Sequence, residues 1–144
     1  MRRLALVMVL VLLAGCSAQG RVEGPLLTSP RPGLSSGGEG AIVSGVVVYE
    51  EATGCLNLEL GGILYPVVWP AGTRWQAEPP AVVLKGGVRA EPGTTVEGGG
   101  GYHPVAQVTK LAGPSVATEA DRCVGETGEV AFFNLGSTVE VVAG

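Results

Sequence analysis

With 144 residues, 46% of them apolar and 15% charged, the chain has room for one domain and little more. Its 24 Gly and 10 Pro imply many tight turns, a composition of β proteins rather than helical ones. The formal charge of −4 falls to about −6 if residues 1–15 are removed, because seven basic side chains then face thirteen acidic ones, and a nucleic-acid partner held through phosphates is disfavoured.

The chain opens with Met1, Arg2 and Arg3, followed by an apolar run from Leu4 to Ala14 without charge or helix breaker. At about 1.5 Å per residue, roughly 11 residues cannot cross a hydrocarbon core of roughly 30 Å, so the run reads as a cleavable export signal rather than a membrane span. It ends in Leu13-Ala14-Gly15-Cys16. This tetrapeptide resembles the lipobox of bacterial lipoprotein precursors, in which an aliphatic residue and two small residues precede the cysteine. The thiol is the nucleophile for diacylglyceryl transfer, and the small residues let an extended backbone enter the peptidase. The resemblance implies cleavage after residue 15 and palmitate-type acyl chains on Cys16. Two or three chains anchor a protein stably where one does not, so it also implies residence on a cell membrane or outer membrane, facing the periplasm or the cell exterior. Ser17 in place of Asp implies the outer membrane if the cell has two.

Residues 16–40 read as the lipidated cysteine and a flexible tether, since Gly, Pro and Ser fill 13 of the 24 positions from Ser17 to Gly40. A Gly/Ser-type coil of this length would span about 25 to 30 Å. Leu26 and Leu27 read as an unstructured apolar pair, with docking on the domain as the alternative.

Residues 41–144 read as a small β domain of short, Val-rich runs broken by Gly and Pro. Ala41 to Glu50 is a first strand with Gly45 as a bulge candidate. Cys55 to Leu60 alternates, placing Leu56, Leu58 and Leu60 on one face and Asn57 and Glu59 on the other. Gly61-Gly62 turns it into a partner strand, Ile63 to Trp69, with Pro66 favouring an edge or bulge. Arg74 to Pro80 carries too many breakers for regular structure. A second hairpin is expected around Gly86-Gly87, and a turn at Pro92-Gly93. Gly98 to Gly101 reads as a loose or bulged connection carrying a surface His103, with approach of a ligand to its backbone amides as the alternative. Pro104 to Ala112 fits a weak helical face or an irregular strand, and Ser115 is the expected N-cap of a helix to Cys123. Glu129 to Leu135 and Ser137 to Val142 read as a closing strand pair. The expected fold is mainly β: a small closed β-barrel or a sandwich of about five to seven short strands, with at most one short helix. The strand order is similar to that of the OB-fold.

Cys55 and Cys123 remain after Cys16 is used, and in an oxidising compartment they are expected to pair, two free thiols being the alternative. Trp69, Arg74 and Trp75 flank one turn and form a candidate platform for a sugar, lipid or peptide, unless Trp69 is core. Tyr102 and His103, the sole histidine, follow the glycines as a second ligand-binding candidate. The spacing matches neither a dinucleotide fingerprint nor a P-loop, and no catalytic set, metal site or cofactor is expected. The function these features favour is a non-enzymatic, membrane-anchored binding or structural module with an envelope protein, glycan or lipid as partner. A subunit of an envelope complex is the alternative, and an enzyme using His103 a weaker one.

Overall fold

The computed structural model describes residues 18–33 and 38–143; the apolar run and Cys16 lie outside them. In chain order the elements are β1 (Arg21–Glu23), β2 (Leu26–Thr28), β3 (Ala41–Glu50), β4 (Cys55–Leu60), β5 (Ile63–Trp69), β6 (Arg74–Gln76), β7 (Ala81–Val83), β8 (Arg89–Ala90) and β9 (Thr95–Pro104). A 3₁₀ turn (Val105–Gln107) then leads into α1 (Val108–Ala112), α2 (Pro114–Cys123), β10 (Glu129–Phe133) and β11 (Glu140–Val141).

Five strands close on themselves in the order β3-β4-β5-β10-β9 and back to β3. All contacts around this ring are antiparallel except β5–β10. Of the small closed barrel or sandwich that the sequence allows, this is the closed barrel, although two short helices are present where at most one was expected. Three further strands, β6-β7-β8, form a separate small sheet that adds Val82, Leu84 and Ala90 to the barrel core.

Strand periodicity divides the apolar residues into two layers, because successive side chains leave a strand on opposite faces. On β5, Val67 and Trp69 enter the barrel while Val68 packs outward, and on β10 Ala131 and Phe133 enter while Val130 and Phe132 face out. The outward set meets Val108, Ala112, Val116 and Ala120 of α1 and α2, so the helices form a layer against one side of the barrel. The bond between Cys55, at the start of β4, and Cys123, at the end of α2, joins that layer to the barrel with Cα atoms 5.7 Å apart. Arg122 adds a hydrogen bond from Nη1 to the Thr53 carbonyl at 2.6 Å.

The largest departure from the sequence expectation lies in the supposed tether. Arg21 to Thr28 is a hairpin, and β2 continues in parallel beside β5 through Leu27↔Val68 and Thr28↔Trp69. Leu26 is fully buried in the barrel core and Leu27 packs under the helices. The folded unit therefore starts about twenty residues before Ala41. The turn is Gly24-Pro25, with Gly24 at φ +56°, the conformation that a two-residue primed turn requires at its first position.

Other local expectations change for similar reasons. Gly45 is no bulge, since its register with Val96 is regular; a Cβ there would lie 2.9 Å from the Glu59 carbonyl oxygen. Arg74–Gln76 is strand β6, because it finds β7 as a partner. Asn57 is buried rather than solvent-facing, sharing the face of Cys55, to which α2 is bonded. Leu60, at the hairpin end, is 46% exposed. Pro104–Ala112 resolves into the end of β9, a 3₁₀ turn and α1. Pro114 rather than Ser115 begins α2, with Gly113 at the cap, since proline's fixed φ suits the first helical turn. β11 pairs with β9 and not with β10, extending the β9 edge that β10 leaves at Phe133↔Gly100.

Candidate functional site

The four-glycine stretch is a structural strand. β9 runs between β3 and β10, and a Cβ at Gly100 would run into the Phe132 carbonyl oxygen, with Val43 Cγ2 at 2.9 Å. The missing side chain at Gly100 thus lets β9 approach the Phe132 backbone, and the stretch is paired strand rather than a loose connection or a ligand cradle. Tyr102 and His103 leave the same strand on opposite faces. Tyr102 packs against Tyr65, ring centroids 4.9 Å apart, and burial, aided by the neighbouring Tyr65, holds its hydroxyl pKa above the usual tyrosine value.

His103 lies in a cleft of about 310 Å³ whose walls include Leu111, Phe132 and Leu135. Its ring stands edge-on to Phe132, with centroids 5.3 Å apart. Nδ1 is 3.3 Å from Gln107 Oε1 and Nε2 is 3.5 Å from Glu39 Oε1. The side chain is 18% exposed, far from the open surface position expected of it. Ser29 also borders the cleft, but its hydroxyl donates to the Trp69 carbonyl at 3.3 Å. Both imidazole nitrogens already face other side chains. A serine–histidine pair for nucleophilic attack is therefore not formed.

The candidate indole platform does not assemble. Trp69 is fully buried in the barrel against Phe133, centroids 5.3 Å apart, and offers no face to a ligand. Trp75 is half-buried against Tyr49 at 5.0 Å. Arg74 is exposed, and its Nε donates to Glu23 Oε2 at 3.0 Å. The five candidate residues are thus distributed over the core, two aromatic pairs, a cleft and a groove.

That groove, about 770 Å³, is the larger concavity and borders Ser29 on its other flank. Arg21, Arg31, Arg74 and Lys85 line it together with Ala18, and Glu23 is the single carboxylate of the lining. Glu23 is shared: besides Arg74 it lies 3.9 Å from Arg21 Nη2 and accepts the Trp75 N–H at 3.2 Å, tying β1 to β6. Among the described residues neither Arg31 nor Lys85 has an ion-pair partner. Of this cluster the sequence pointed only to Arg74. Arg21 and Arg31 stood in the supposed tether and Lys85 at a hairpin tip, and no spacing rule joins residues that meet only through the β1–β2 and β6–β7 folds.

Among the described residues no helix is long and apolar enough to cross a membrane. No protein-family model, curated protein or solved structure matches the chain.

Proposed function

We propose that the chain is a lipid-anchored envelope module that acts by binding rather than by catalysis, held on the outer face of a membrane through acyl chains on Cys16. The observation that carries this reading is the Leu13-Ala14-Gly15-Cys16 tetrapeptide, placed at the end of an apolar run that follows a charged start and is too short to span a bilayer. The Cys55–Cys123 bond supports it, because such bonds persist in oxidising compartments outside the cytosol. The engaged Ser29 hydroxyl and the doubly faced His103 ring support binding over catalysis. Expression with labelled palmitate tests the anchor. Wild-type protein should carry label and sediment with membranes, and Cys16→Ser should do neither while its β domain stays folded. Label and membrane association retained by Cys16→Ser would refute the reading.

A subunit role in an envelope complex is the second reading. It rests on Leu60 and Ile63, paired across the β4–β5 tip and 46% and 42% exposed. Crosslinking in native membranes should capture a stoichiometric partner that Leu60→Ser with Ile63→Ser releases, and an unchanged capture would remove this surface from consideration.

A further inference from the structure

We infer that the basic groove is a seat for the phosphates of anionic phospholipid headgroups, turning the anchored domain so that this face rests on the bilayer. The inference rests on the proposed anchor at Cys16 and deepens it, because lipidation alone fixes attachment but not orientation.

The charge distribution is lopsided. Four cationic side chains and one carboxylate line the groove, whereas the rest of residues 16–144 carries three cationic side chains and twelve carboxylates. An anion arriving from solution therefore meets a protein that is strongly negative almost everywhere. An anion already held at the groove's rim meets a locally positive surface. Chain connectivity supplies that proximity: Ala18 belongs to the groove's lining, and a chain step of two residues keeps the Cα of Cys16 within about 7 Å of the Ala18 Cα. That reach is within the screening length of about 8 to 10 Å at physiological salt, so the anchor brings headgroups to within about one screening length of a residue of the groove's wall.

The side chains suit phosphate. Three of the four cations are arginines, whose planar fork pairs with phosphate oxygens in two-point contacts. Glu23 already engages Arg74 and Arg21, which holds the β1–β6 wall of the groove in place. Arg31 and Lys85 are exposed and without an ion-pair partner among the described residues, so their charge is open to headgroups.

The chain has two lysines, Lys85 in the groove and Lys110 on α1 outside its lining, which makes amine reactivity a direct readout. The acylated full-length mature protein is reconstituted on phosphatidylcholine vesicles or on mixed phosphatidylglycerol/phosphatidylcholine vesicles and pulsed with an amine-acylating reagent. Flotation with pure phosphatidylcholine vesicles reports the anchor by itself. On the mixed vesicles Lys85 labelling should fall about three- to sevenfold, the factor by which the surface potential of an anionic leaflet lowers the unprotonated fraction of an adjacent amine. High salt should reverse the fall, Lys110 should change less, and Arg31→Glu should restore Lys85 labelling towards its phosphatidylcholine value. Equal labelling of Lys85 on both vesicle types, or equal falls at Lys85 and Lys110, would overturn the proposal while leaving the anchor intact. Full protection by inorganic phosphate on phosphatidylcholine vesicles would overturn it in favour of a soluble-anion site. Failure to float with phosphatidylcholine would remove the anchor and the premise together.

Discussion

Gly100 lies where β9 passes between β3 and β10, and the two nearest obstacles to a side chain there are backbone and a buried valine. Neither gives way cheaply. Gly100→Ala should therefore destabilise the domain by about 1 to 3 kcal/mol through overpacking, seen as a lower urea midpoint at unchanged slope. Gly99→Ala is the control, since its Cβ would meet only the Asn134 amide nitrogen, at 3.2 Å; an equal loss at both positions would reject the close-approach account. Four glycines in a row look like slack chain because composition records flexibility and not the partners that demand it. Trp69 was similarly ambiguous: the sequence allowed it a place in a ligand platform or in the core, and only barrel closure shows that its face is enclosed. Tyr102 gives a pH signature. Its hydroxyl ionises less readily in the folded protein than at the usual value near 10, so the stabilisation it contributes is fully present below that pH and is lost as pH rises through the higher folded value. Tyr102→Phe should flatten the alkaline fall in melting temperature relative to wild type, and parallel curves for the two proteins would reject the linkage.

The strands and turn of the β4–β5 hairpin were legible, though not the burial of Asn57 or the exposure of Leu60, because Gly61-Gly62 supplies positive φ at both central positions and the flanking residues carry strand character. The β1–β2 hairpin carried a comparable cue in Gly24-Pro25, where proline presets the second φ and glycine admits the first. It was masked by the Gly/Pro/Ser content around it, since three-residue strands are too short to show a period against such a background. Its packing makes a sharp test. Leu26→Ala should cost about 2 to 5 kcal/mol in a urea titration, as expected for truncating a fully buried leucine, whereas a tether residue would cost nothing measurable. The helical layer depends on a different connection. The two cysteines are 68 residues apart, so opening the Cys55–Cys123 bond restores a long loop to the unfolded chain and should cost about 4 kcal/mol on the chain-entropy account. Comparing the double variant Cys55→Ala/Cys123→Ala with wild type in denaturant measures it, and an unchanged midpoint would show the bond to be dispensable for the barrel.

At the scale of the whole molecule, a folded unit that starts at residue 21 rather than 41 changes how the domain would stand on a membrane under the proposed anchor at Cys16. A coil of 24 residues would hold it about 25 to 30 Å from the headgroups. Gly20 already donates its N–H to the Ala112 carbonyl at 2.8 Å, so at most residues 17–19 lie between Cys16 and structure, an extended reach of about 14 Å. Under the proposed anchor at Cys16, a stalk this short would limit how freely the domain turns and would keep the groove's cations close to headgroups. Neutron reflectometry of the acylated protein on a supported bilayer should therefore find a solvent layer no thicker than about 14 Å beneath the domain. Inserting ten Gly/Ser residues after Ser17 should widen that layer and weaken the orientation, while leaving the melting temperature as in wild type. A wild-type gap of about 25 Å or more would mean that the β1–β2 hairpin detaches on the membrane, and the close-seated arrangement would then be abandoned.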